Sequence, residues 1–174
     1  MHRQNSVHKQ SLRIGVVFYA QSYECSDCTV NALNNLIQRP KDKKITQQTM
    51  LGLRRTNRRG NQVAVAETGR QGGLFVDWPR MLEIILPECT IVAGSGVTVK
   101  DVVSNEMVYG FIANIQQDAA GHVNHAVAVI RRNGRFQLLD SLTAGPVELN
   151  EKNSKKLSVM AVVSSCVDNI KNSI

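Results

Sequence analysis

The sequence predicts a mixed fold of the α+β class, and three observations carry that expectation. Residues 28–38 hold an apolar stripe at helical spacing, with Val30, Leu33 and Ile37 on one face and Leu36 beside them. Residues 125–130, His-Ala-Val-Ala-Val-Ile, are apolar at inward and outward positions alike, as a strand in the middle of a sheet must be. Between that run and residues 136–140 stands Asn133-Gly134, two residues that accept positive φ and so close a tight antiparallel hairpin.

Composition bounds the rest. A chain of 174 residues, 43% hydrophobic and 20% charged, suits one globular domain with a real core. The formal charge of +7 would suit an anionic partner, but aromatic residues are few and no nucleic-acid motif accompanies it. Nucleic acid is therefore not expected, and the charge reads as a solvated basic surface. Four cysteines, at positions 25, 28, 89 and 166, are too sparse for a disulfide framework. They point to a reducing compartment: the cytoplasm, the nucleus, or the interior of a host cell for a pathogen-encoded protein. The apolar run 14–20 is shorter than a membrane span and no secretion signal of normal form precedes it, so a soluble monomer without a membrane partner is expected.

Taken in order, residues 1–11 are polar and basic and read as a loose arm, with the domain over 12–174. Leu12, Ile14, Val16 and Phe18 alternate with more polar positions, which predicts a strand or extended segment up to Tyr19. It leads through Gln21 to the 28–38 helix, announced by the capping types Ser26 and Asp27 and stopped by Pro40. Residues 39–71 form a basic insertion or lid carrying Lys41, Lys43, Lys44, Arg54, Arg55, Arg58, Arg59 and Arg70; one short helix is expected over 46–55 and loop elsewhere. Asp77 and Pro79 open a helix that buries Met81, Leu82, Ile84 and Ile85 and ends before Pro87, with Trp78 as packing. A strand over 89–93, a helix over 98–104, a strand over 107–115, a loop over 116–124 carrying His122, the hairpin, and a last strand over 157–163 complete the chain.

Cys28 falls in the first turn of its helix, where unpaired backbone N–H groups and the positive end of the macrodipole stabilise a thiolate. The hairpin supplies its partners. With Asn133-Gly134 as the turn, Arg132 faces Arg135 and Val127 faces Asp140. His125 then shares a face with Asp140 as its diagonal neighbour, about 7–8 Å away at the backbone. His122 has the opposite parity. A thiolate, an imidazole and a carboxylate suit acyl transfer through a thioester: Cys28 attacks a carbonyl, His125 forms the ion pair and protonates the leaving amine, and Asp140 orients the ring. Gln21 is the candidate oxyanion-hole donor beside the backbone N–H of Cys28. This chemistry needs no cofactor and no metal. A competing reading takes Cys25, Cys28, His122 and His125 as the four ligands of a structural zinc.

The stretch Cys28-Thr29-Val30-Asn31-Ala32-Leu33-Asn34-Asn35-Leu36-Ile37-Gln38 resembles the nucleophile helix of the Josephin domain, a cysteine followed by Leu-Asn-Asn-Leu-Leu-Gln. Phe136-Gln137-Leu138-Leu139-Asp140-Ser141-Leu142-Thr143-Ala144-Gly145-Pro146 is similar to that family's acid-bearing segment, which also runs through Ser-Leu to Gly-Pro. Gly73-Leu74-Phe75-Val76 and the closing strand fit the same order. The resemblance implies a papain-like, Josephin-like fold, in which an N-terminal nucleophile helix packs on a central antiparallel sheet and 39–71 is a variable insertion. It also implies deubiquitinase-type cleavage after the C-terminal glycine of ubiquitin or a ubiquitin-like protein, which would be substrate and partner. The alternatives are a papain-like peptidase of other specificity, self-processing or pathogen-encoded, and a catalytically silent module that binds ubiquitin-like partners.

Overall fold

The structure, a computed structural model, describes residues 15–20, 28–53, 65–67, 74–117 and 122–164. Along the chain lie α1 (Cys28–Ile37), a 3-10 turn (Lys41–Lys43), α2 (Gln47–Leu53), β1 (Val65–Glu67), β2 (Leu74–Val76), α3 (Trp78–Ile85) and β3 (Thr90–Ala93). There follow α4 (Val99–Val103), β4 (Val108–Gln117), β5 (His122–Arg132), β6 (Arg135–Leu139), β7 (Val147–Glu148), α5 (Glu151–Ser154) and β8 (Leu157–Ser164). β1 and β2 pair with each other, and the other strands form a six-stranded sheet in the order β3-β8-β4-β5-β6-β7, antiparallel throughout. The fold is α+β, as expected.

The hairpin has the register its turn dictates. Asn133 and Gly134 take φ of 51° and 75°, and the β5–β6 ladder runs from Arg132 opposite Arg135 to Ala128 opposite Leu139. β5 lies inside the sheet and is covered on both sides. Its even-numbered residues Ala126, Ala128 and Ile130 join α1 (Ala32, Leu33, Leu36) and α3 (Met81, Leu82) in one core. Val127 and Val129 meet Phe111, Phe136 and Leu138 in a second core on the other face. That double burial is why the strand carries no polar face. Leu33 and Leu36 are both 0% exposed, and each such burial contributes roughly 2 kcal/mol. The helix can sit this close because β4 offers Gly110 beneath it: a Cβ there would collide with the Val129 carbonyl oxygen and stand 3.2 Å from Leu36 Cδ1.

Asn34 and Asn35 of the helix, and Gln38 directly after it, bind backbone. Residues 15–20 form no strand; their extended backbone is instead held by side chains of α1. Val17 N–H donates to Gln38 Oε1 (2.9 Å) and Gln38 Nε2 donates to Val17 O (3.0 Å). Tyr19 N–H donates to Asn35 Oδ1 (2.7 Å) and Asn35 Nδ2 returns to Tyr19 O (3.2 Å). Two amides one helical turn apart thus act as rungs against every second residue of the extended chain. The alternation that predicts a strand encodes extended backbone correctly, but not the partner that satisfies it. Asn34 does the same on the other side, bonding the N–H and C=O of Ile45 (both 2.8 Å) as well as Val30 O (2.9 Å).

α1 ends at Ile37, and Gln38, two residues before Pro40, takes a φ of 53° that turns the chain out of the helix. Three of its last carbonyls are taken: Asn34 O by Arg39 N–H (3.2 Å), Asn35 O by Gln38 Nε2 (2.7 Å) and Leu36 O by the Tyr109 hydroxyl (2.9 Å). α3 starts as predicted, with Asp77 accepting from Arg80 N–H (3.4 Å), and α4 carries a Thr98/Asp101 capping box. Trp78 is buried packing, 4% exposed.

Two expectations are corrected. The stretch 39–71 is not loop beyond its one helix, because β1 lies in it and pairs outside it with β2. The expected loop 116–124 is shorter: β4 runs to Gln117 and β5 starts at His122, so His122 belongs to a strand. β7 and α5 have no counterpart in the sequence reading, being too short for periodicity to register. The arm 1–11, Gln21, Cys25 and the basic cluster 54–59 lie outside the described residues. Among the described residues, no helix is long and apolar enough to cross a membrane.

Candidate active site

The hairpin brings two of the predicted residues together directly. Asp140 follows the last residue of β6, and its Oδ1 stands 2.6 Å from His125 Nε2. His125 is 5% exposed and pairs with Ile115 of β4, beyond the last β5–β6 pair. Cys28 opens α1, so its thiol lies at the helix N-terminus above the sheet. Strict alternation would send the His125 ring to the face opposite α1, with Val127. Thiol and ring still meet, because the contact lies at the rim, where pairing with β6 has ended and β4 shifts register between Ile115 and Gln117.

The orientation of the ring follows from the carboxylate. With Nε2 held by Asp140, Nδ1 is the nitrogen left for the thiol. Burial alone would push the Cys28 thiol up, but hydrogen bonds from His125 and from the Ala126 backbone N–H, the His125 charge and the Thr29 hydroxyl bring it below its ordinary value. Burial alone would lower His125; hydrogen bonds to Asp140 and Cys28, and the charges of both, raise it to about 9. Asp140 is likewise pushed up by burial and brought below its ordinary value by the His125 and Leu142 N–H bonds and the His125 charge. The three shifts act in one direction: each favours the charged form, thiolate, imidazolium and carboxylate. Together these forms are a nucleophile beside a proton donor.

Supporting contacts hold the acid in place. Leu142 N–H donates to the same Asp140 Oδ1 (2.9 Å), and Thr143 returns both its N–H (3.0 Å) and its hydroxyl (2.8 Å) to Asp140 O. Ser141 between them is buried. The Ser-Leu-Thr run after the acid is thus a clamp on it. Three contributors escape sequence reasoning: the N–H groups of Ala126 and Leu142, which leave no residue-type signal, and Thr29, buried with Oγ1 3.9 Å from Cys28 Sγ.

Cys28, His125 and Asp140 therefore converge, while Gln21 and Cys25 lie outside the described residues. His122 begins β5, opposite Gln117. Among the described residues no group of three or more His, Cys, Asp or Glu side chains is placed to hold a metal. His125 Nε2 is engaged by Asp140. Comparison with protein-family models and with curated proteins returned no match, so the geometry of these three side chains is what bears on function.

Proposed function

We propose that the protein is a cysteine peptidase or isopeptidase of papain-like, Josephin type, with Cys28 as nucleophile, His125 as acid and base, and Asp140 as the orienting carboxylate. The observation that carries this reading is the 2.6 Å His125–Asp140 contact beside a thiol whose pKa is brought below its ordinary value. The Cys28 thiolate attacks a substrate carbonyl carbon, and the oxygen becomes an oxyanion facing the N-terminus of α1. Collapse breaks the C–N bond as the His125 imidazolium gives its proton to the departing amine, leaving a thioester and neutral imidazole. That imidazole takes a proton from water, which attacks the thioester and releases the acid and the free thiolate. Gln21 is the proposed side-chain donor to the oxyanion, beside the backbone N–H of Cys28.

The substrate class rests on the two segments that resemble the Josephin family, which support cleavage after the C-terminal glycine of ubiquitin or a ubiquitin-like protein. The nucleophile helix on an antiparallel sheet, with the histidine on β5 and the acid directly after β6, supports the papain-like placement. Work in a reducing compartment suits a nucleophile that must stay a free thiol. The direct test is a panel of ubiquitin and ubiquitin-like proteins carrying a C-terminal vinyl sulfone, read by intact mass. Wild type should gain one adduct at Cys28 and Cys28→Ala none. A folded wild type that labels with no member of the panel would overturn the deubiquitinase reading.

A further inference from the structure

One turn along α1 from Cys28, a cavity of about 590 Å³ opens between the helix, the extended segment at Tyr19 and Ala20, and residues 41–47. Cys28 and Asn31 stand three residues apart and so neighbour each other on the helix surface, and Asn31 with Val30 forms the near wall. The cavity therefore opens one helical turn from the nucleophile.

Its walls are held by settled contacts. Asn34 is bonded to Val30 and Ile45, and the Tyr19 hydroxyl is shared between the carbonyl oxygens of Arg39 (2.8 Å) and Pro40 (2.9 Å). The Lys41 ammonium sits 3.9 Å over the Tyr19 ring centroid and donates to Phe18 O, which fixes a positive charge at the mouth. Lys44 also lines the cavity; it is exposed and forms no ion pair among the described residues. Among the described residues no acidic side chain lines it. Asp42, whose charge reaches the Tyr19 hydroxyl, is exposed and is outnumbered locally by Arg39, Lys41, Lys43 and Lys44. An arginine or lysine entering the cavity would meet two ammonium groups. A carboxylate would meet the same two as partners, one already immobilised.

We infer that this cavity is a substrate subsite that takes an acidic side chain close to the scissile bond. The inference rests on the nucleophilic role proposed for Cys28 and narrows the substrate class: a polypeptide with Asp or Glu near its cleavage point, or a ubiquitin-like modifier whose tail is acidic rather than basic before its final glycines. Lys44 is the specificity-determining residue, and Lys41 sets the charge of the wall.

Two peptide vinyl sulfones test it, acetyl-Glu-Leu-Glu-Gly-Gly and acetyl-Arg-Leu-Arg-Gly-Gly, reacted with the full chain at low salt and followed by intact mass. Each rate is taken relative to iodoacetamide on the same protein, which reports the thiol alone. The acidic probe should react roughly five- to tenfold faster, as expected for one charge pair at a partly exposed site. The preference should collapse in about 1 M salt, where the Debye length is about 3 Å. Lys44→Gln should weaken it and Lys44→Glu should remove or reverse it. A basic probe that reacts as fast as the acidic one, or a preference unmoved by Lys44→Glu, overturns the subsite while leaving Cys28 as nucleophile. Iodoacetamide alkylation of Cys28 no faster than that of free cysteine overturns the catalytic reading, and the subsite with it.

Discussion

Asp140→Asn separates the two things the carboxylate does. Asp140 Oδ1 accepts from both His125 Nε2 and Leu142 N–H, and an asparagine keeps that oxygen and removes only the charge. The rise of His125 from 6.5 to about 9 corresponds to about 3 kcal/mol of preference for imidazolium. Asp140 is the leading favourable contributor to that rise and the Cys28 thiolate the next. Neutralising Asp140 should therefore remove roughly half or more of the preference, bringing the His125 midpoint to about 7.5. At pH 8 the ring would go from about nine-tenths imidazolium to about one-quarter.

The catalytic state requires thiolate and imidazolium together, so its alkaline limb is set by loss of the imidazolium proton. That limb should move down by somewhat more than one pH unit in Asp140→Asn, while the rate at the shifted optimum stays within about tenfold of wild type. Asp140→Ala also frees the ring to rotate and should lose at least a further order of magnitude at every pH. The assay is an imidazole NMR titration, with the His125 resonances assigned by their loss in His125→Gln, alongside the pH profile of turnover. A His125 midpoint that stays near 9 in Asp140→Asn would refute the assignment of Asp140 as the group that holds the imidazolium.

The other expectations concern the triad as a unit and the fold beneath it. His125→Ala should be as severe in turnover as Cys28→Ala, and the double variant no worse than either, whereas His122→Ala should keep most activity; if His122→Ala alone abolished turnover, the acid–base assignment would be wrong. Stability against pH carries a sign that can be worked out. A raised His125 contributes stability that is fully present below 6.5 and lost as pH rises through about 9; a depressed Cys28 contributes stability that is present above 9.0 and lost as pH falls. The two contributions have opposite signs of slope, so they offset one another wherever both groups bind different numbers of protons in the folded and unfolded states. Cys28→Ala removes the thiol's opposing half, so its own urea stability should fall from about pH 7 to pH 8 by up to about 1.4 kcal/mol, more steeply than that of wild type. Asn35→Leu strands the N–H and C=O of Tyr19 and should cost about 2–4 kcal/mol, read as a lower urea midpoint at unchanged slope.

What is legible in the sequence and what is not divide along a physical line. The contact between His125 and Asp140 is legible because Asn133-Gly134 admits one tight turn, and a two-residue turn sets every pairing behind it. The contact between His125 and Cys28 is not, since alternation alone directs the ring away from α1. It depends on where ladders end and where β4 shifts register, features that no residue type announces. β1 and β2 escape for a related reason: three residues each are too few to show a period. Asn35 and Gln38 are the most instructive case. In the sequence they are polar positions in an apolar helix, and Leu12 to Phe18 is an alternating segment in search of a strand. In the structure each explains the other, because the helix amides are the ladder for residues 17 and 19. The same bond that satisfies Asn35 fixes the backbone of Tyr19, and Tyr19 carries the ring on which the Lys41 charge rests at the cavity one helical turn from Cys28. A buried amide with no chemistry of its own thus sets the position of the charged wall next to the nucleophile, so Asn35→Leu should disturb the acidic-probe preference along with the stability.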